Sequence, residues 1–157
     1  MKALGDSHTA YDVMREYMII GAELDGKYQM PMLDRYTGHP GEDTVDFKDS
    51  FSLKIKNHRK LTVNFYIHDY EFEKIWNNPD RYLEHLKCFH SVIGPDFSMA
   101  VGENGMPFAM NIYQKYRNHA LSHYLSMNGI KVIPNVSIPP EYCYDWAFDG
   151  VPKRSTV

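Results

Sequence analysis

The chain has 157 residues, 17 basic and 20 acidic side chains, a formal charge of -3, and 43% hydrophobic and 14% aromatic content. That length suits one domain with a core of its own, and the apolar content excludes a disordered chain, which lacks the groups that offset ordering entropy. The charge excludes a global positive field for nucleic acid or anionic membrane, and the two cysteines, Cys88 and Cys143, have neither zinc-site spacing nor the density of a disulfide scaffold.

The start, MKALGDSHTAYDVM, has no signal-peptide apolar core, and no apolar run is long enough to span a bilayer. A cytoplasmic setting without a membrane partner is the expectation. Residues 1–60 read as an irregular lead-in. Tyr11, Met14, Tyr17 and Met18 fall at helical spacing before Gly21, which predicts one short helix. From Ala22 to Lys60, Pro, Gly and Asp recur too often for a long element, although the alternation in SFSLKIK (50–56) predicts one edge strand.

From Leu61 the pattern is regular. LTVNFYIHD (61–69) is a strand-sized run of β-branched and aromatic residues. Phe72, Ile75 and Trp76, then Tyr82, Leu83 and Leu86, mark two helices, broken where Asn78 is a natural N-cap and Pro79 a natural first-turn residue. HSVIGPDFSM (90–99) is a second strand, and after the GENGMP loop Pro107 opens a long helix. Its apolar stripe is Phe108, Ile112, Tyr116, Ala120 and Tyr124, flanked by Met110, Tyr113, Leu121 and Leu125 and stopped at Asn128-Gly129. IKVIPNVS (130–137) is a third strand, EYCYDWAF a last short helix, and Ser155-Thr156-Val157 the start of a further strand. Because the chain ends there, a truncated or short domain is expected.

Strands alternating with helices imply βαβ units and right-handed crossovers. The expected fold class is α/β with a mainly parallel sheet, either a small open sheet or a partial barrel, because an eight-unit barrel needs far more residues. The lead-in covers 1–60 and the α/β domain 61–157.

DYEFEKIWNNPDRYL, PDFSM, IYQKYRNHAL, GIKVIPNVS and FDGVPKRS, in that order, resemble a family of phage, prophage and mobile-element proteins designated DUF4417, a domain of unknown function. The resemblance covers about residues 61–157. It implies a phage or prophage context and an α/β architecture, and it implies no activity. Family members continue past the serine matched by Ser155 into another strand and a Gly-containing loop.

Open α/β sheets bind ligands outside the carboxyl ends of their strands. Three parallel strands would bring His68 and Asp69, Asp96 and Ser98, and Asn135 and Ser137 to one rim. There Asp69 and Asp96 are candidate catalytic carboxylates converging on one pocket, as acid and base or as hard-oxygen ligands of a divalent ion. His68, Ser98 and Asn135 are candidate ligand contacts. The competing reading gives Asp69 to the cap of the next helix and Asp96 to a turn after Pro95.

Arg117, near Gln114 and Asn118, is either a forked contact to an anionic ligand or the internal partner of an acid, with its stem over apolar neighbours. His119 and His123 have the i, i+4 spacing of a zinc pair. Ala120 stands where a zinc protease carries glutamate, so the pair reads as a polar helix face and no metal is assigned. Cys88 and Cys143 read as core or near-core thiols. GxGxxG, P-loop and GxSxG motifs are absent, and no particular cofactor is indicated.

Two functional readings follow, and whether the protein is an enzyme stays open between them. The first is a ligand-binding, hydrolase or transferase domain acting on a nucleotide or nucleic-acid component at the strand ends, a chemistry prompted by the mobile-element resemblance. The second is a non-catalytic module that docks a host or phage protein through Tyr142, Tyr144 and Trp146. An inactive truncated remnant is a third possibility.

Overall fold

A computed structural model describes residues 13–137 and 139–157. The chain enters through a single 3-10 turn, Glu16–Ile19, which buries Tyr17 and Met18 and is followed by Gly21 at φ 79°. Among the described residues the expected helix is confined to this turn, and Tyr11 lies outside them. A short antiparallel pair follows, β1 (Leu24–Asp25) with β2 (Met30–Pro31).

β3 (Asp43–Asp46) and β4 (Leu61–Asn64) then pair in parallel, Thr44 beside Thr62 and Val45 beside Val63. The expected strand at 50–56 is a correction. Ser50 donates its hydroxyl to Phe47 O, Asp49–Phe51 closes a 3-10 turn, and Leu53 projects fully into solvent. An alternating pattern makes no strand where the backbone is already folded back on itself. The sheet edge belongs instead to DTVD, whose aspartates give it the composition of a loop.

α1 (Asp69–Asn77) and α2 (Asp80–Leu86) form the crossover that follows β4. Asn78 leaves the helix at φ -152° and Pro79 resumes it at φ -65°, so the break falls where the dipeptide predicts. β5 (Ser91–Ile93), α3 (Phe108–Met127) and β6 (Val132–Ile133) complete the alternation, with Gly129 at φ 84° just beyond α3. A 3-10 turn, Glu141–Cys143, runs into α4 (Tyr144–Ala147). No strand forms at Ser155–Val157. Thr156 N donates to Tyr36 O, and Ser155 Oγ accepts from Tyr36 N, but Tyr36 lies in a loop and offers no ladder to extend.

The sheet order is β3-β4-β5-β6 with every pair parallel. Each strand thus lies beside its neighbour in sequence, the barrel-type order, while β3 and β6 remain edges of an open sheet among the described residues. Crossovers of one hand then put the helices on a single face. Val63, Val92 and Val132 occupy that face in adjacent register and join the core with Phe65, Phe72, Ile75, Trp76, Leu86, Phe97, Leu121 and Leu125. The opposite face is small and polar at β4 and β5, where Thr62 and Ser91 share a 2.8 Å hydrogen bond and Thr62 Oγ1 accepts from Gly41 N.

Phe97 sits at the centre of this packing. It is fully buried, its ring 4.7 Å from that of Phe72 and the Arg117 guanidinium 3.6 Å from its centroid. Phe97→Ala is expected to lower the unfolding free energy by about 3–5 kcal/mol in urea denaturation. A loss near zero would show that the loop carrying it is not part of the core.

Candidate functional site

The loops that leave the carboxyl ends of β4, β5 and β6 meet above one end of the sheet, and α3 holds the longest of them in place. Asn118 accepts from Phe97 N at 2.7 Å and donates to Phe97 O at 3.2 Å. Two turns earlier Asn111 does the same to Ala100, at 2.8 and 3.1 Å, and also donates to Met106 O. These two amides supply the buried backbone groups that a loop without a ladder otherwise leaves unpaired.

Asp69, the first residue of α1, accepts from both the backbone N–H and the hydroxyl of Ser98, the latter at 2.8 Å, and from Gln114 at 3.4 Å. It ties α1 to the β5 loop, and Ser98 is spent in the same contact. Arg117 donates to Glu73 at 2.5 Å and to Gln114 at 3.0 Å, and lies against the rings of Phe97 and Trp76. It has the internal acid of the second expectation. His68 is exposed and stacks on Tyr70, while its carbonyl accepts from Glu71 N.

Asp96 belongs to a different group. Asn135 donates to Asp96 Oδ1 at 3.0 Å and accepts from the Tyr66 hydroxyl at 3.4 Å, so side chains from three successive strand ends are linked. Burial raises the Asp96 carboxyl above its ordinary value; the Asn135 bond opposes this, and the Asp69 charge adds to it. Tyr66 is raised by its own burial and by Asp96. The two carboxylates feel one another, and neither is among the residues lining the neighbouring cavity.

The cavity lies beside them. It measures about 170 Å³ and is lined by Met99, Val101, Asn135, Ser137, Trp146 and Val151, with Lys115, Asn118 and His119 contributed by α3. Lys115 Nζ is 2.9 Å from Ala147 O and 3.1 Å from His119 Nε2. His119 Nδ1 donates to Pro31 O at 2.8 Å, which leaves Nε2 to accept from Lys115. Burial first, and the Lys115 charge second, hold the imidazole down to about 3 against the pull of the Pro31 bond. Burial also lowers Lys115 to about 8, opposed by Asp149 and Asp25.

Gly150 makes this geometry possible. At φ 74°, a Cβ there would stand 2.7 Å from Pro31 O and 2.8 Å from His119 Nδ1. Its N–H donates to Asp25, and its carbonyl accepts from Leu33 N, which pins the turn after α4 to the β1–β2 pair.

Sequence reasoning did not find Lys115, and it read His119 as part of a polar helix face although only 3% of the residue is exposed. The available signal was a polar stripe: Asn111, Lys115, Asn118 and Ser122 recur at helical spacing and are all buried. His123 contacts Ile20 O instead. Cys143 is buried as expected, whereas Cys88 is exposed at the end of α2, its thiol over Glu84 O. Trp146 is buried edge-on against Phe108, while Tyr142 and Tyr144 are exposed. Among the described residues, no group of three His, Cys, Asp or Glu is arranged to hold a metal ion, and no helix is long and apolar enough to cross a membrane.

The domain of unknown function DUF4417 matches residues 22–157, from β1 to the last residue of the chain. The protein belongs to the DUF4417 family. It is similar to the Gene 1 protein of Mycobacterium phage L5, 35% identical over 95 residues, which are 60% of this chain and 40% of that protein. It is also similar to the Gene 1 protein of Mycobacterium phage D29, 32% identical over 95 residues, 60% of this chain and 34% of that one. The chain therefore spans well under two thirds of either relative. No solved structure matches it. The motifs QKYRNHAL, PNVS and FDG of this DUF4417 chain supply Lys115, His119, Asn135, Ser137 and Gly150, all in or against the one cavity.

Because the folded state holds the Asp96 proton more tightly than the unfolded chain does, ionising Asp96 costs stability as pH rises from 3.8 through its raised folded value. Asp96→Asn removes that cost and keeps an oxygen for Asn135. The variant is expected to melt above the wild type at pH 7, with the gap closing by about pH 3, near the ordinary carboxylate value. A lower melting temperature at pH 7 would mark the carboxylate as a stabilising turn cap.

Proposed function

We propose that this phage-family domain binds a small component of a nucleotide or nucleic acid in the cavity at the carboxyl ends of the strands. The observation that carries the reading is Lys115, which is buried, lines the cavity, and has Nζ bonded to Ala147 O and His119 Nε2. At about 170 Å³ the cavity is smaller than the ~300–1,000 Å³ of drug-sized sites, which favours a single base or a pentose over a whole nucleotide. The nucleic-acid chemistry is inferred from the phage setting of the relatives, both phage Gene 1 proteins.

A hydrolase or transferase step would draw on Asp96. Burial raises its carboxyl above the ordinary value, and it is held by Asn135, which lines the cavity; both support a general-acid role at the rim. Asp69, Ser98 and Arg117 then serve to fix the loop that carries Asp96, and His68 stands on the outer rim.

The second reading, docking of a host or phage protein, has Tyr142 and Tyr144 in its favour, with exposed Phe148 packed ring to ring on Tyr144. The burial of Trp146 removes the largest of its three expected anchors and moves the weight to the cavity.

Thermal unfolding with nucleobases, nucleosides, nucleotides and short oligonucleotides tests the first reading. A fragment no larger than a nucleoside is expected to raise the melting temperature, by an amount equivalent to about 2.7 kcal/mol at a hundred times its Kd. The shift should vanish in Val151→Trp, which fills the cavity, and persist in Asp96→Asn. Shifts that survive Val151→Trp, or no shift with any fragment, would overturn it.

A further inference from the structure

We infer that Lys115 is a covalent site, whose amine condenses with a small aldehyde or ketone in the cavity to form an imine. This deepens the reading above and rests on it, since it takes the cavity to be the ligand site.

The acceptors around the nitrogen are neutral, so it can lie there as the uncharged amine. Nζ has two acceptors, Ala147 O and His119 Nε2, and the Nδ1–H bond to Pro31 O keeps Nε2 an acceptor. Two N–H bonds meet two acceptors, and the remaining tetrahedral direction, the lone pair of the amine, is left to the cavity that Lys115 lines. Lys48, Lys60 and Lys87, by contrast, each hold a glutamate within 2.9 Å and lie at the surface. The titratable groups that bear on Lys115 are the neutral His119 of α3 and the carboxylates of Asp149 after α4 and Asp25 of β1. Burial outweighs the two carboxylates and brings its pKa to about 8. At pH 7.5 roughly a quarter of it is then neutral, against about one part in a thousand for an ordinary lysine.

The lining narrows the substrate. Lys115 is the one cation among the lining residues, so once it is joined to the carbonyl carbon no second cation lines the cavity to pair a charged group elsewhere on the substrate. Met99, Val101, Trp146 and Val151 offer apolar walls, and Ser137 a hydroxyl. A short uncharged carbonyl compound with a hydroxyl fits this set, with the open-chain form of a pentose near the upper size.

The step balances without a further reagent. Lys115 releases a proton to solvent, and its lone pair attacks the carbonyl carbon. The C–N bond forms as the C–O π pair moves to oxygen, which takes up a proton from the nitrogen to give the carbinolamine. A proton from solvent then lets that oxygen leave as water and an iminium remains, its one N–H kept on Ala147 O or His119 Nε2. From ammonium and carbonyl, the net products are iminium and water.

Reductive trapping tests the inference. The protein is treated at pH 7.5 with glycolaldehyde, and separately with deoxyribose, in the presence of cyanoborohydride, and peptide mass mapping gives the adduct rate at every lysine. Lys115 is expected to label about tenfold faster than the surface lysines, with a rate that rises through pH 8, because the neutral fraction sets the rate. A fragment that raises the melting temperature should suppress labelling at Lys115 alone, and Lys115→Arg should abolish that adduct while keeping the others. Mapping of the wild type needs no variant to fold. Labelling at Lys115 no faster than at the surface, with fragment binding intact, would overturn the imine and leave the ligand reading standing; loss of both would overturn the two together.

Discussion

Everything at the strand ends depends on α3 turning a polar face inward. Asn111, Gln114, Lys115, Arg117, Asn118, His119 and Ser122 are buried on a single helix. Burying that many polar groups is tolerated only when each finds a partner. Asn111, Gln114, Lys115, Arg117, Asn118 and His119 find them in the backbone of the β5 loop, in Asp69 and Glu73 of α1, and in Pro31 and Ala147. The helix is therefore less a packing element than a template on which irregular segments are laid. This is how a loop from Gly94 to Pro107, with no ladder of its own, can carry Phe97 into the core and still present Asp96 and Met99 at the rim.

The sheet order supplies the second constraint. With each strand beside its successor, the loops after β4, β5 and β6 emerge side by side, and Tyr66, Asp96 and Asn135 can be linked by hydrogen bonds. Gly94 lets the layers close: a Cβ there would meet Ser122 Oγ at 2.6 Å and Asn135 N at 3.4 Å. The wall of the cavity opposite α3 comes from the turn after α4, fastened through Gly150 to β1 and β2. Segments far apart in the chain thus enclose one small space.

Much of this frame was legible. β4, β5 and β6 carry β-branched residues in short runs, and the helices between them have clear apolar spacing and Pro or Gly punctuation. β3 was not legible, because Asp43 and Asp46 flank its one valine, and a strand at a sheet edge gains its identity from the ladder with β4 and not from its own composition. SFSLKIK misled for the converse reason, since its alternation has no neighbour to pair with. At the site, attention to acids at strand ends led to Asp96 and Asn135 but also to Asp69 and Ser98, which bond each other. A carboxylate that caps a loop and one that faces a ligand have the same sequence signature; only the partners separate them. Lys115 escaped because a lysine in a helix reads as solvent-facing unless its polar neighbours at 3–4 spacing are taken as a buried face.

Arg117 and Lys115 show how differently two buried cations can be treated. Arg117 has Glu73, the Gln114 amide and a stack on Phe97, so its charge is compensated within the fold. Lys115 has only neutral acceptors, with Asp25 and Asp149 too weak to reverse the effect of burial. The displacement of its pKa from 10.5 to about 8 means that holding Lys115 charged costs the fold roughly 3 kcal/mol. An apolar residue at that position, packed on Trp146 and Val151, would avoid the cost. A group that weakens the fold, lines a cavity and is bonded to a histidine whose own tautomer is fixed is the kind of group a ligand site retains at a cost in stability, and that cost is the ground of the proposal made for Lys115.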